Sequence, residues 1–168
     1  MMKVISFLAF LILFETMIND NYLTAKAGIQ IQKPIAEVFD AIISADKMSN
    51  YFIEHSTGDL ETDVTVEWKF PEFDDIFPVT AKLIKANEYV SFDWSGGAEG
   101  MLVEMFLEDV DGVSTVVRVR ESRMEKDEDG IKQAIGQTEG WANFLACLKA
   151  SLEYGINLRN GAFDFMKS

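Results

Sequence analysis

Side chains able to do chemistry are few in this chain, and the most suggestive is Glu121. Thr115, Val117, Val119 and Glu121 recur at every second position, the period of a strand with one buried face. The row therefore ends in a carboxylate where an apolar or small group is expected, and burying an unpaired acid is costly. Two readings stay open. Glu121 sits at a sheet rim, paired with Arg123 or solvent, or it faces an apolar pocket as a polar anchor or a proton-accepting group with a raised pKa. No second group completes a catalytic constellation, because the only histidine, His55, is distant in sequence. The single cysteine, Cys147, excludes an internal disulfide and a Cys-rich metal site. Its neighbours make it a small, partly buried apolar residue of a helix. One histidine cannot build a multi-histidine metal set, and neither a Gly-rich phosphate loop nor a Gly-x-Ser-x-Gly elbow occurs, so the sequence implies no cofactor or metal.

The elements that must position Glu121 are a sheet and one long helix. Trp141, Leu145, Leu148 and Leu152, with Phe144 beside them, follow the rhythm of a helix with one buried face. Ile131, Ala134, Ile135 and Thr138 extend that face upstream, giving a helix of about 25 residues and roughly 38 Å. Gly140 interrupts it. A mid-helix glycine costs about 1 kcal/mol relative to alanine and marks a place where something approaches closely, or is merely tolerated. Everything between residues 57 and 124 reads as strand, so the helix's partner is a curved sheet.

In chain order, Ala25, Ala27, Ile29 and Ile31 give a half-buried first strand from Leu23 to Gln32. Pro34 then opens a helix to Ser44 whose apolar face is Ile35, Val38, Phe39, Ile42 and Ile43. Asp46 is placed to cap a second short helix carrying Met48, Tyr51 and Phe52. Val64, Val66, Trp68 and Phe70 share one face of the next strand, and Pro71 to Pro78 reads as an acidic turn. Val79, Ala81 and Leu83, then Val90, Phe92 and Trp94, form a pair joined at Asn87-Glu88. After a break at Gly96-Gly97 come Met101, Val103, Met105 and Leu107, the Asp111-Gly112 turn and the row ending in Glu121. Leu102 and Phe106 interrupt the polar outer face and suggest a homodimer contact.

Two segments carry a resemblance. Gly140-Trp141, Phe144-Leu145, Leu148-Lys149 and Leu152-Glu153, together with Lys33-Pro34-Ile35-Ala36-Glu37-Val38-Phe39-Asp40-Ala41, resemble the activator-of-heat-shock-90-ATPase homologue family. That family lies within the START/birch-allergen-like superfamily of helix-grip domains. The resemblance covers about residues 22 to 157. It implies an α+β helix-grip fold: a curved antiparallel sheet wrapped around a long C-terminal helix, two short helices after the first strand, and a ligand-sized pocket between sheet and helix. Tyr51 stands where the family often has tryptophan, a change that adds a hydroxyl needing a partner.

Composition narrows the partners. Asp and Glu number 28 against 15 Lys and Arg, a formal charge of −13 that disfavours phosphate backbones and anionic membranes. Nucleic acid is not expected. The acids cluster at residues 59–63, 72–75 and 125–129, read as solvated loop ends. At 48% hydrophobic residues without a low-complexity tract, residues 17–168 are expected to form one domain. Residues 1–16, Lys3 followed by an apolar run, read as an upstream extension, with a signal peptide cleaved near Ala25-Lys26-Ala27 or an interfacial helix as alternatives. Location is accordingly cytoplasmic, or exported if residues 1–27 act as a signal.

Function is expected to be binding of a small apolar or amphipathic molecule. Tyr51, Trp68, Phe92, Trp94, Met105, Trp141 and Leu145 form the expected wall, with Glu121 and the nearby Gln137 as polar groups. The alternatives are a protein-interaction module resembling the chaperone-activating domain, and a cyclase- or hydrolase-type enzyme using Glu121 as base.

Overall fold

The computed structural model describes residues 21–97 and 101–167. Expectations for residues 1–16 lie outside the described residues. The architecture is α+β, with one sheet of seven antiparallel strands, in which the last strand follows the first and the others run back in reverse chain order to the second, and a long helix packed on the concave face.

Chain order is β1 (Leu23–Ile31), α1 (Ile35–Ile43), α2 (Ala45–Met48), β2 (His55–Ser56), β3 (Thr65–Lys69), β4 (Ile76–Lys85), β5 (Tyr89–Asp93), β6 (Leu102–Val110), β7 (Ser114–Met124) and α3 (Glu128–Tyr154). A short 3-10 turn, Asp164–Met166, closes the chain. β7 holds the centre of the site because β1 and β6 pair along nearly its whole length, with Glu121 opposite Ala25 on one side and Val103 on the other. Its inward row Thr115, Val117, Val119 and Glu121 is buried, so the two-residue period holds to the end of the strand.

Several local readings are corrected. The second short helix is not capped by Asp46, which lies in its first turn; Asp59 reaches back from a loop and its Oδ1 accepts the Ala45 N–H at 2.8 Å. Pro78 lies inside β4 and does not end a turn. Residues 76–79 pair only with β3, so the missing proline N–H deprives no second neighbour. Leu83 turns outward because a bulge between Ala81 and Leu83 shifts the register, and Ser91 takes the buried position opposite it. Val64 precedes β3, next to the left-handed Asp63, and is exposed.

The long helix starts at Glu128, with the Asp127 carboxylate accepting the Gly130 N–H at 2.8 Å. These acids belong to a helix start, where its dipole favours them, and are not merely loop ends. Its upstream face is also corrected. Ile131 and Ile135 are exposed, while Gln133, Gln137, Trp141, Phe144 and Leu148 form the stripe that faces the sheet side. Gly155 ends the helix in the left-handed region at φ 66°. Phe106 is half-buried, edge-on to Tyr89 with Arg120 over its ring.

Candidate functional site

Between the open half of α3 and the sheet lies a cleft of about 610 Å³. Downstream of Trp141 the helix packs tightly, with Phe144, Leu145 and Leu148 buried. Upstream it spans open space, and Gln133, Gly136, Gln137 and Gly140 line the cleft at helical spacing. Phe52, Phe70, Phe73, Phe77, Trp94 and Met101 supply the opposite wall.

Glu121 projects into this cleft and is 1% exposed. Trp94 Nε1 donates to its Oε1 at 2.9 Å, Trp141 Nε1 donates to its Oε2 at 2.7 Å, and Gln137 Nε2 reaches Oε1 at 3.4 Å. No lysine or arginine among the described residues forms an ion pair with it. Burial pushes the Glu121 carboxyl above its ordinary range, and the two indole hydrogen bonds pull part of the way back. The rim placement with Arg123 is thereby corrected: Arg123 is exposed and lies over the Tyr22 ring.

Of the residues anticipated from sequence, Trp94, Glu121, Gln137 and Trp141 meet at the cleft. Tyr51, Trp68, Phe92, Met105 and Leu145 are buried in the adjoining core and do not border it. Tyr51 donates its hydroxyl to the Ala41 carbonyl at 2.9 Å, which satisfies the added group. Burial raises its pKa strongly. Phe92 and Phe144 pack behind Trp141 with ring centroids 6.2 and 5.7 Å away. Cys147 is buried, and burial raises its pKa, the opposite of an activated thiol. His55 is exposed on β2, away from the cleft lining. Gly140 admits no close approach by the described protein: a Cβ there would meet nothing nearer than Gln137 Oε1 at 4.0 Å. The glycine that a close approach does require is Gly130, where a Cβ would sit 1.9 Å from the Glu125 carbonyl oxygen.

One wall was not anticipated. After Gly155 the chain folds back, and Arg159, Phe163, Phe165 and Met166 line the cleft. The Arg159 guanidinium pairs with Glu72 at 2.7 Å and lies 4.8 Å from the Phe52 ring centroid and 5.2 Å from that of Phe70. Glu72 is thus buried and not a solvated acid of its loop. The signal was present in the sequence as a late cluster of Phe163, Phe165 and Met166 beyond the helix stop.

Residues 32–153 match the family described as activator of Hsp90 ATPase homolog 1-like protein. The chain belongs to this family. No curated protein sequence matches the chain. Among solved structures, protein SSP2350 from Staphylococcus saprophyticus is 26% identical with a TM-score of 0.71, covering 82% of this chain and 96% of that one. The Aha1 dimer from Colwellia psychrerythraea is 20% identical at a TM-score of 0.68, covering 79% and 98%. The di-domain ARO/CYC BexL from the BE-7585A biosynthetic pathway is 17% identical at a TM-score of 0.62, covering 78% of this chain and 46% of that one. The last two likenesses show the helix-grip fold alone. The Arg159 wall lies beyond the segment matched to that family. No helix among the described residues is long and apolar enough to cross a membrane.

Proposed function

We propose that the protein binds a small apolar or amphipathic molecule in the cleft between sheet and α3, with Glu121 as its polar contact. The observation that carries this reading is a buried carboxylate, met only by neutral donors among the described residues, on the wall of an aromatic cleft of about 610 Å³. That volume lies within the roughly 300–1,000 Å³ typical of ligand pockets. A domain that needed only a core would gain from an apolar side chain here, because a buried charge without a partner is destabilising. Native mass spectrometry of the purified protein tests the reading. A bound small molecule released on denaturation supports it. Ligand-free protein that also takes up no apolar dye would refute it.

The likeness to an ARO/CYC structure and the raised Glu121 pKa favour a second reading, a cyclase-type enzyme with Glu121 as base. His55 does not line the cleft, and of the other carboxyl groups that do, Glu72 is paired with Arg159, which leaves Glu139 on α3 as the second acid or base this reading would need. Turnover of a polyketide-like substrate that disappears in Glu121→Gln while binding persists would decide for it. The family description also suggests a chaperone ATPase as protein partner, a role that an unchanged ATPase rate on addition of this protein would exclude. Either reading is compatible with a cytoplasmic location, or with export if residues 1–27 act as a signal.

A further inference from the structure

Indole N–H groups can only donate. Trp94 and Trp141 therefore make acceptors of both Glu121 oxygens, which favours the ionised form against the burial that raises its pKa. Three neutral donors distribute its charge without cancelling it, and nothing in the described wall supplies the opposite sign. The charged residues lining the cleft are Glu72, Glu121, Glu139 and Arg159, three carboxylates against one guanidinium. That guanidinium is already committed to Glu72 at 2.7 Å. Its Nε–H is buried without a hydrogen-bond partner. An anionic ligand would thus meet uncompensated negative charge at Glu121, while the one cation of the lining is already paired with Glu72.

We propose, resting on the reading of this cleft as a ligand site, that its ligand is an organic cation: a protonated amine carried on an apolar or aromatic body. The ammonium group sits against Glu121 and supplies the missing positive charge as a charge-assisted hydrogen bond. The remainder of the wall, Phe52, Phe70, Phe73, Phe77 and Met101, takes the apolar body. The chain shows the same chemistry with its own side chain, because Arg159 is held by one carboxylate and the rings of Phe52, Phe70 and Phe163. A formal charge of −13 adds long-range attraction for cations.

The test is isothermal titration with three probes of one shape: 2-naphthylethylamine, 2-naphthylethanol and 2-naphthylacetate. The amine should bind about tenfold or more tighter than the alcohol, and the acetate most weakly. In Glu121→Gln, checked for folding by circular dichroism, the amine's advantage should shrink to about twofold or less. Equal binding of amine and alcohol by the wild-type protein overturns the cation proposal while leaving the pocket intact, and this comparison needs no variant. Tightest binding of the acetate overturns it as well. Failure of all three probes to bind removes the pocket reading itself, and the cation proposal with it.

Discussion

Gly140→Leu separates the cleft from the core. Gly140 lines the cleft, and a Cβ at that position meets no atom closer than 4.0 Å. The new side chain therefore enters open space. Relieving a helix-interior glycine stabilises by about 0.5–1 kcal/mol, which for a chain of this size raises Tm by about 1–4 °C. The leucine also occupies volume beside Gln137 and Trp141, so an amine reaching Glu121 should lose at least about tenfold in affinity. Thermal melts followed by circular dichroism and titration with 2-naphthylethylamine measure both effects on one sample. A Tm lowered by several degrees would mean that the space is packed. Unchanged affinity with a raised Tm would mean that the ligand binds elsewhere. Gly136, which also lines the cleft with nothing within 4 Å of its Cβ position, offers an independent repeat.

Other perturbations probe the supporting structure. Trp141→Ala removes a ring packed among Phe92, Trp94 and Phe144 and one donor to Glu121, and should cost about 3–5 kcal/mol in chemical denaturation. Gly130→Ala would force its Cβ to within 1.9 Å of the Glu125 carbonyl and should destabilise by about 1–3 kcal/mol or more, although alanine is the better helix former. Glu72→Ala leaves the Arg159 charge without its partner, at a cost of about 3–5 kcal/mol to the docking of residues 156–167, read as faster proteolytic cleavage after Tyr154. Because the folded Glu121 pKa lies above its unfolded value, the folded state binds the proton more tightly. Its contribution to stability is full below the unfolded value and is lost as pH rises through the raised one; Glu121→Leu should flatten that part of the pH–stability curve.

The succession of long strands along the chain, the helix position and the inward direction of Glu121 were legible because burial on one face leaves a period that local sequence must obey. The period held along β7 and broke where backbone geometry intervened, at the bulge beside Leu83 and at the left-handed Asp63. The cleft was harder to read for a physical reason. A helix face turned to a cavity is not required to be apolar, so Gln133 and Gln137 concealed the continuation of the Trp141 stripe. Ile131 and Ile135 suggested a face that is in fact exposed. Tyr51, Trp68, Phe92, Met105 and Leu145 could not be distinguished from cleft residues, because core and cavity wall share one composition. The Glu72–Arg159 pair joins residues 87 positions apart, and no local pattern encodes it.

The most direct measurement is nitrogen–proton NMR of the indole groups. The chain has three tryptophans, of which Trp94 and Trp141 donate to Glu121 at the cleft while Trp68 lies in the core. On titration with 2-naphthylethylamine, the indole signals of Trp94 and Trp141 should shift together and saturate with one affinity, and that of Trp68 should move least. Binding that leaves both cleft indoles in place, or that moves Trp68 as much as them, would contradict a ligand site at Glu121.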